Sequence, residues 1–397
     1  MNRKQLTLLV VLGVVLGGLG WLAWKKQQQP YADSSAKMGN KVLPGLPVND
    51  IEQLTITQAK GALTLAKQDG TWVVRSRGDY PANFDTLRDL LLKFADLKVA
   101  KPVVVGPSRL PALELVPPDK GNGTLVEFKD KSGKVLQSVL LGAKSMRESG
   151  GDSPFGGGGF PNGRYLMVGT DIGTTALVTE PFAQVEPKAE DWLNKEWFKV
   201  ERLKSVGVVT TNATNNWKLV RENETGSWKL VDAKAGEELD ASKSGSSTSA
   251  LSYPSFNDVS TNAAAAGLDK PMVTATLETF DGFTYTVKIG SKSGEENHHF
   301  QMAVAGNFPR TRAPGKDEKP EDKDRLDKEF AETLKKNEER LKNEKAYEKW
   351  VYVVSKWTVD PLLKDRKDLL PDKKEEAKPG EGAAGAPPVP GPLPTQP

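Results

Sequence analysis

The stretch KQDGTWVV at residues 67–74 decides the fold, because RENETGSWKL at residues 221–230 repeats its pattern. Each stretch predicts a strand, a turn containing glycine and a second strand that opens on a tryptophan. We interpret the two tryptophans, Trp72 and Trp228, as core anchors of their hairpins, where such a ring buries roughly 150–250 Å². An exposed platform for carbohydrate is the alternative for both rings.

Two further landmarks follow each hairpin in the same order. The first pairs Pro118 of the sequence LVPP with Pro271 of LDKP. The second pairs Gly142 of LLGAKS with Gly290 of KIGSKS. Three landmarks in one order predict a duplicated domain whose copies superpose. Because the matched residues are apolar, glycine and turn types, the duplication itself argues against catalysis.

The elements between the landmarks predict an α+β fold. In the first copy, Asn83 or Asp85 caps a helix that runs to about Leu97 and has one apolar face. The corresponding stretch of the second copy, residues 240–262, is interrupted by serine runs and by Pro254, and proline costs a helix interior about 3 kcal/mol. Since few strand–helix–strand crossovers are available, each unit is predicted to be a mostly antiparallel sheet with a covering helix.

The 397 residues divide by composition into five predicted segments. These are a transmembrane anchor (1–26), a linker (27–47), a first α+β repeat (48–199), a second α+β repeat (200–370) with a charged helical insert (294–349), and a disordered Pro/Ala/Gly-rich tail (371–397).

The charge and the cysteine content exclude several classes of function. The net charge is only +3, so no overall basic field indicates a nucleic-acid partner. Cysteine is absent, which excludes disulfides, cysteine-ligated zinc and thiol catalysis.

Residues 5–24 (QLTLLVVLGVVLGGLGWLAW) contain no charge and lie between basic pairs. About 20 apolar residues are what a helix needs to cross the hydrocarbon of a bilayer. We therefore expect an uncleaved single span in the cytoplasmic (inner) membrane, with the domains facing the periplasm or the cell exterior. A cleaved signal peptide is the alternative, although no clear cleavage site follows.

Two insertions are candidate partner-binding surfaces, since loops on a scaffold often carry function. Both are predicted to follow the Lys-Ser of the glycine landmark, at equivalent edges of the two units. The first contains Phe155 and Phe160 beside a run of four glycines. The second is the charged insert, whose helix carries Phe330, Leu334 and Leu341 in a weak apolar stripe. An edge that merely tolerates insertion is the alternative for both.

No constellation of residues predicts catalysis. Lys144-Ser145 and Lys292-Ser293 lack the glycines of a phosphate-binding loop, and the adjacent His298 and His299 face opposite sides of a strand. We expect no enzyme activity, no catalytic residue, no cofactor and no metal.

The ordered landmarks resemble a bacterial domain-of-unknown-function family. The residues that carry the resemblance are Gly70-Thr71-Trp72, Gly226-Ser227-Trp228, Gly267-Leu268-Asp269-Lys270-Pro271, Phe280-Asp281-Gly282 and Val287-Lys288-Ile289-Gly290. The resemblance implies one membrane span, one or two extracytoplasmic α+β domains, and genes beside ABC-2-type transporters, including gliding-motility-like (GldG-like) ones.

This resemblance implies a non-catalytic accessory or partner-binding protein of an ABC-type transport assembly. Its expected partners are the membrane, through residues 5–24, and a permease with its ATPase. An envelope scaffold unrelated to transport and an enzyme acting on envelope glycans or peptides are the alternatives.

Replacing Trp72 tests the interpretation of the hairpin ring. If the ring is core, Trp72→Ala should lower the free energy of unfolding by roughly 3–5 kcal/mol, because a large cavity replaces it. Denaturant unfolding followed by circular dichroism measures the change, and a near-neutral result would favour an exposed binding platform.

Overall fold

The computed structural model describes residues 34–147, 160–235, 237–314 and 318–372. These residues form two antiparallel sheets with few helices, which confirms the predicted α+β class with antiparallel pairing. One continuous apolar core runs through both sheets.

The first sheet has nine strands in the order β4-β3-β2-β1-β6-β7-β8-β9-β5. Its helix α1 (Phe84–Asp96) lies between β4 and β5 in the chain. The strands are β1 (Gln53–Gln58), β2 (Gly61–Gln68), β3 (Thr71–Val74), β4 (Tyr80–Pro81), β5 (Lys101–Pro102), β6 (Thr124–Lys129), β7 (Val135–Arg147), β8 (Phe160–Val168) and β9 (Ala176–Val178).

The second sheet has eight strands in the order β12-β11-β10-β14-β15-β16-β17-β13. Its helices are α2 (Ala241–Thr248), α3 (Lys323–Lys345) and α4 (Lys356–Leu363). The strands are β10 (Leu203–Thr210), β11 (Trp217–Val220), β12 (Lys229–Leu230), β13 (Asp258–Val259), β14 (Val273–Thr279), β15 (Phe283–Lys292), β16 (Asn297–Gly306) and β17 (Tyr352–Ser355).

The two strand orders correspond one to one, except that the first sheet has the additional edge strand β4. Pairing registers align the hairpins: Val74 faces Leu65 in the first unit, and Leu230 faces Leu219 in the second. Trp72 and Trp228 each lie two residues before those positions, so they are equivalent.

The first covering helix follows from its sequence. The Asn83 side chain caps α1 by accepting from the Thr86 amide at 3.1 Å. Leu87, Leu90 and Phe94 are buried on one face of the helix. The helix ends at Asp96, within one residue of the predicted end.

In the second unit, two short helices replace this single long one. Helix α2 buries Ser244 and Ser247 where α1 buries leucines, and the Ser247 hydroxyl donates to the Pro361 carbonyl of α4 at 2.7 Å. Helix α4 buries Val359 and Leu362 and supplies the apolar cover that α2 lacks. The sequence analysis did not predict α4.

The charged insert differs from its predicted span of 294–349. Residues Asn297–Gly306 form β16, so the insertion begins after Gly306 and connects β16 to β17. It therefore leaves the sheet at the strand end opposite to the first insertion, which connects β7 to β8. Alternate residues of β16, such as Phe300 and Met302, are buried.

The position and pattern of residues 350–354 predict the counterpart of the strand at 164–168, and this prediction is wrong. Residues Tyr352–Ser355 (β17) correspond to β9 in the strand order. Strand β16 is the true counterpart of β8.

The glycine landmark marks a β-bulge that occurs in both units. The register shifts by one residue between Leu141 and Lys144, and it shifts in the same way between Ile289 and Lys292. At Gly142, an added Cβ would lie 2.2 Å from the Leu113 carbonyl oxygen, and at Gly290 it would lie 2.0 Å from that of Ala266. Only glycine admits this close backbone approach.

An aromatic cluster and an ion pair join the two units. The ring of Tyr80 lies 4.7 Å from Trp350 and 5.7 Å from Phe256, in edge-on geometry. Beside them, Arg77 Nε and Nη2 donate to the two carboxylate oxygens of Asp258 at 2.7 and 2.8 Å. The contact joins the β4 edge of the first sheet to the β13–β17 edge of the second.

Within the described ranges, no helix is both long and apolar enough to cross a membrane. The predicted span at 5–24 lies outside those ranges, as do residues 27–33 of the linker and 373–397 of the tail.

Substituting the landmark glycines tests the shared bulge. We expect Gly142→Ala and Gly290→Ala each to lower the free energy of unfolding by about 3 kcal/mol, because a backbone carbonyl cannot move aside easily. Denaturant unfolding provides the measurement. Gly245→Ala is the control, since nothing lies within 4 Å of its added Cβ, and alanine in a helix should stabilise by up to about 1 kcal/mol. Equal effects of all three substitutions would contradict the interpretation.

Candidate functional site

The predicted landmark residues are buried or half-buried within the fold. Trp72 is buried, whereas Trp228 is half-buried, with the Arg221 guanidinium 5.0 Å from its ring centre. Pro118 and Pro271 are both half-buried in the segments that lead into β6 and β14. The buried indole of the second hairpin is Trp217, which the sequence analysis did not single out and which donates to the Lys364 carbonyl at 2.7 Å.

The first insertion extends from a paired two-stranded arm, which we define as residues 144–147 and 160–164. Within it Met146 faces Pro161 and Arg147 faces Phe160. Met146 is 54% exposed and Phe160 is 82% exposed. In the second unit the equivalent hairpin closes at once, with only residues 293–296 between β15 and β16. The predicted residue Phe155 lies outside the described ranges.

The charged helix α3 is attached to the second sheet near its C-terminal end. Leu341 packs against the core, and buried Glu344 accepts from the Tyr285 hydroxyl at 2.7 Å and from Arg340 Nε at 2.8 Å. Burial, followed by the charge of Glu344, raises the pKa of Tyr285. The predicted residues Phe330 and Leu334 are half-buried.

A polar concave site lies in the first unit. It is a pocket of about 530 Å³ at the base of the arm, and we call it the Arg164 pocket. It is lined by Gln58, Ala59, Lys60, Glu114, Asn122, Thr124, Gly142, Ala143, Lys144, Arg164, Ala183, Val185 and Glu186.

Arg164 forms the inner wall of this pocket, with only 7% of its surface exposed. Its Nε donates to the Gly142 carbonyl at 2.9 Å, which places the guanidinium directly on the bulge. Its two terminal nitrogens donate to the Phe182 carbonyl at 3.1 Å and to the Thr124 hydroxyl at 3.3 Å. The side chain thus connects β6, β7 and the segment after β9.

No carboxylate of the described residues lies within 4 Å of this guanidinium. Glu114 and Glu186 act on it only from a greater distance. Burial lowers the pKa of Arg164, yet an arginine remains charged at neutral pH. Among the described residues, this buried cation of the pocket wall therefore has no direct counter-ion.

The second unit has histidine at the equivalent place. Lys144 pairs with Arg164 after the first bulge, and Lys292 pairs with His298 after the second. His298 is buried, and its imidazole makes a hydrogen bond with the Gly290 backbone. Its buried Nδ1 has no hydrogen-bond partner among the described residues, and burial lowers the pKa of the ring.

The sequence analysis named His298 only as an isolated histidine and did not single out Arg164. Counting residues from the two matched glycines does not reveal their equivalence, because the intervening hairpin loops differ in length. The equivalence of Arg164 and His298 becomes visible only in the pairing register of the strands.

Across the described part of the chain, no group of three or more His, Cys, Asp or Glu residues could hold a metal ion. Two neighbouring carboxylates, which as a pair could act as a general acid and base, are each paired with a cation: Glu186 lies 2.7 Å from Lys188, and Glu190 lies 3.7 Å from Arg77. The hydrogen bond from Lys188 lowers the pKa of Glu186, which keeps this carboxylate ionised at neutral pH.

Two antiparallel sheets of one repeated strand order define a duplicated α+β protein. The chain belongs to the family described as "Domain of unknown function (DUF4340)", which matches residues 72–271, about half of its length. The match begins at Trp72 and ends at Pro271, so it includes parts of both units, and it confirms the resemblance to a domain-of-unknown-function family. No curated protein and no solved structure matches the chain.

The buried imidazole predicts a pH dependence of stability. Because the folded-state pKa of His298 lies below its ordinary 6.5, the unfolded chain binds a proton that the folded chain does not as the pH falls through 6.5. Stability contributed by neutral His298 is therefore present above pH 6.5 and is lost below it. Urea unfolding should show His298→Gln to have a flatter profile than the unsubstituted chain between about pH 5.5 and 7.5, where most carboxylates do not titrate. Parallel profiles would show that His298 titrates alike in both states.

Proposed function

We propose that this protein is a non-catalytic, membrane-anchored accessory or partner-binding component of an ABC-type transport assembly. Residues 5–24 would hold it in the cytoplasmic membrane, and the two α+β units would work on the outer side. The partner would be a permease with its ATPase, as the family resemblance implies. The observation that carries the proposal is the arm of the first unit, with its exposed Met146 and Phe160.

The apolar exposure on the arm supports a contact role. Most large apolar side chains of the described residues are buried or half-buried, yet Phe160 leaves 82% of its surface exposed at the end of a paired strand. Exposed apolar groups gathered on a protruding element are typical of protein–protein contacts. Since the equivalent hairpin of the second unit is short, the shared fold does not require the extension.

The attachment of the arm supports recognition by a preformed element. Its base continues the β7–β8 pairing of a nine-stranded sheet, so contact energy would not be spent on ordering that base. Exposed apolar residues on a preformed, paired element suit a protein that positions a partner.

Affinity purification from gently solubilised native membranes tests the proposal. The tagged full-length protein should recover a permease and its ATPase, identified by mass spectrometry. The double variant Met146→Ser/Phe160→Ser should lose at least about 90% of that recovery, because truncating central apolar contacts typically costs 2 kcal/mol or more.

Tyr253→Ser is the matched control, since Tyr253 is 81% exposed and lies in the second unit. It should leave recovery unchanged. Recovery of no transport protein by the unsubstituted chain would count against the accessory role. Equal recovery by the arm variant would count against the arm as the contact.

A further inference from the structure

We propose that the Arg164 pocket binds an oxyanion, a carboxylate or phosphate group, which supplies the counter-ion that no described residue provides to the buried guanidinium. This site is separate from the apolar tip of the arm, and the inference does not depend on the transport role.

The first step of the inference is the cost of the buried charge. Removing a cation from water without a counter-ion is expensive even when neutral acceptors surround it. Arg164 has three such acceptors, two carbonyls and a hydroxyl, and no carboxylate of the described residues within 4 Å. A bound oxyanion would form charge-assisted hydrogen bonds with the remaining guanidinium N–H groups.

The second step is the comparison of the two units. Both bulges are held by a hydrogen bond from a basic side chain to the backbone of the landmark glycine, Arg164 on Gly142 and His298 on Gly290. The second unit makes this contact with a ring whose pKa burial lowers, which favours its neutral form. Holding the bulge therefore does not require a permanent charge. The permanent charge of Arg164 is therefore a feature of the first unit that the shared bulge does not need, and a bound anion would use it.

The third step is the environment of the opening. Lys60 and Lys144 are exposed lining residues, and the amides of Gln58 and Asn122 add neutral donors. Two carboxylates, Glu114 and Glu186, also line it, and Lys188 pairs with Glu186 at 2.7 Å. Three cations thus line a pocket with two carboxylates, one of which is already paired. The local field favours an anion, and Glu114 opposes it.

The size of the pocket limits the ligand. A volume of about 530 Å³ is in the range of small-molecule sites. It accommodates a free oxyanion, a small dicarboxylate, or an acidic side chain presented by a peptide. The shared chemistry is one oxyanion group seated on Arg164.

Calorimetric titration of the purified full-length protein at constant ionic strength tests the site. The probes are inorganic phosphate, succinate, and a blocked alanine peptide with one glutamate, against the same peptide with glutamine. We expect saturable binding of at least one anionic probe with a dissociation constant below about 10 mM, and no binding of the glutamine peptide. Binding of phosphate or succinate indicates a free anion as the source, whereas binding of the glutamate peptide alone indicates an acidic side chain.

Charge variants locate the binding, and they leave the Arg164 hydrogen bonds in place. Lys60→Ala/Lys144→Ala should weaken binding about tenfold, and Glu114→Gln should strengthen it about threefold, because each changes a charge near the anion. Lys131→Ala, in the exposed turn between β6 and β7, is the control and should change nothing. Arg164→Gln should abolish binding, with circular dichroism reporting whether that variant still folds.

The lysine and glutamate substitutions are expected to change the affinity for the anion in opposite directions. A purely structural role of these residues would not produce such opposite changes. Absence of saturable binding for every anionic probe would overturn the proposal. So would binding that neither the lysine nor the Glu114 substitution alters.

Discussion

The bulge at the landmark glycine is the constraint on which both units depend. At Gly142 and at Gly290, the backbone of a preceding loop approaches the strand so closely that a Cβ would lie about 2 Å from a carbonyl oxygen. The bulge adds one residue to the strand and so shifts the pairing register by one. The lysine after the bulge therefore pairs with Arg164 in the first unit and with His298 in the second. The partner side chain then returns a hydrogen bond to the glycine backbone. Loop, strand and neighbouring strand are thereby fixed together in both units.

The two copies share this framework, whereas the elements around it differ between them. The strand orders correspond, while the first unit lengthens the β7–β8 hairpin into an arm and the second unit inserts a charged helix after β16. At the bulge itself the first unit keeps a permanent cation, whereas the second keeps a buried imidazole. The units also differ in their covering helices and in the edge strand β4. The two surface insertions and the buried basic position are the places where function can differ between the copies.

The two units pack against each other through direct side-chain contacts. Their apolar residues form one continuous core, and the Tyr80 ring of one unit is packed among Phe256, Trp350 and Tyr352 of the other. The bidentate contact between Arg77 and Asp258 fixes the orientation of the two edges, because a planar guanidinium accepts few approaches by a carboxylate. Surface features of both units are therefore held in a fixed relation, which suits a protein that positions a partner.

The sequence by itself determined the duplication, the α+β class with antiparallel sheets, the buried face of α1, and the equivalence of Trp72 with Trp228 and of Gly142 with Gly290. These features are encoded by neighbouring residues: glycine turns, alternating apolar positions and helical periodicity are all local. Only the tertiary structure decided that residues 297–306 form a strand, that the charged insertion leaves from the opposite strand end, and that Arg164 occupies the place of His298. These depend on the pairing between distant strands, where a one-residue bulge changes which side chains meet. The buried cation was invisible in the sequence for the same reason, since its burial and its lack of a counter-ion arise from three segments that are far apart in the chain.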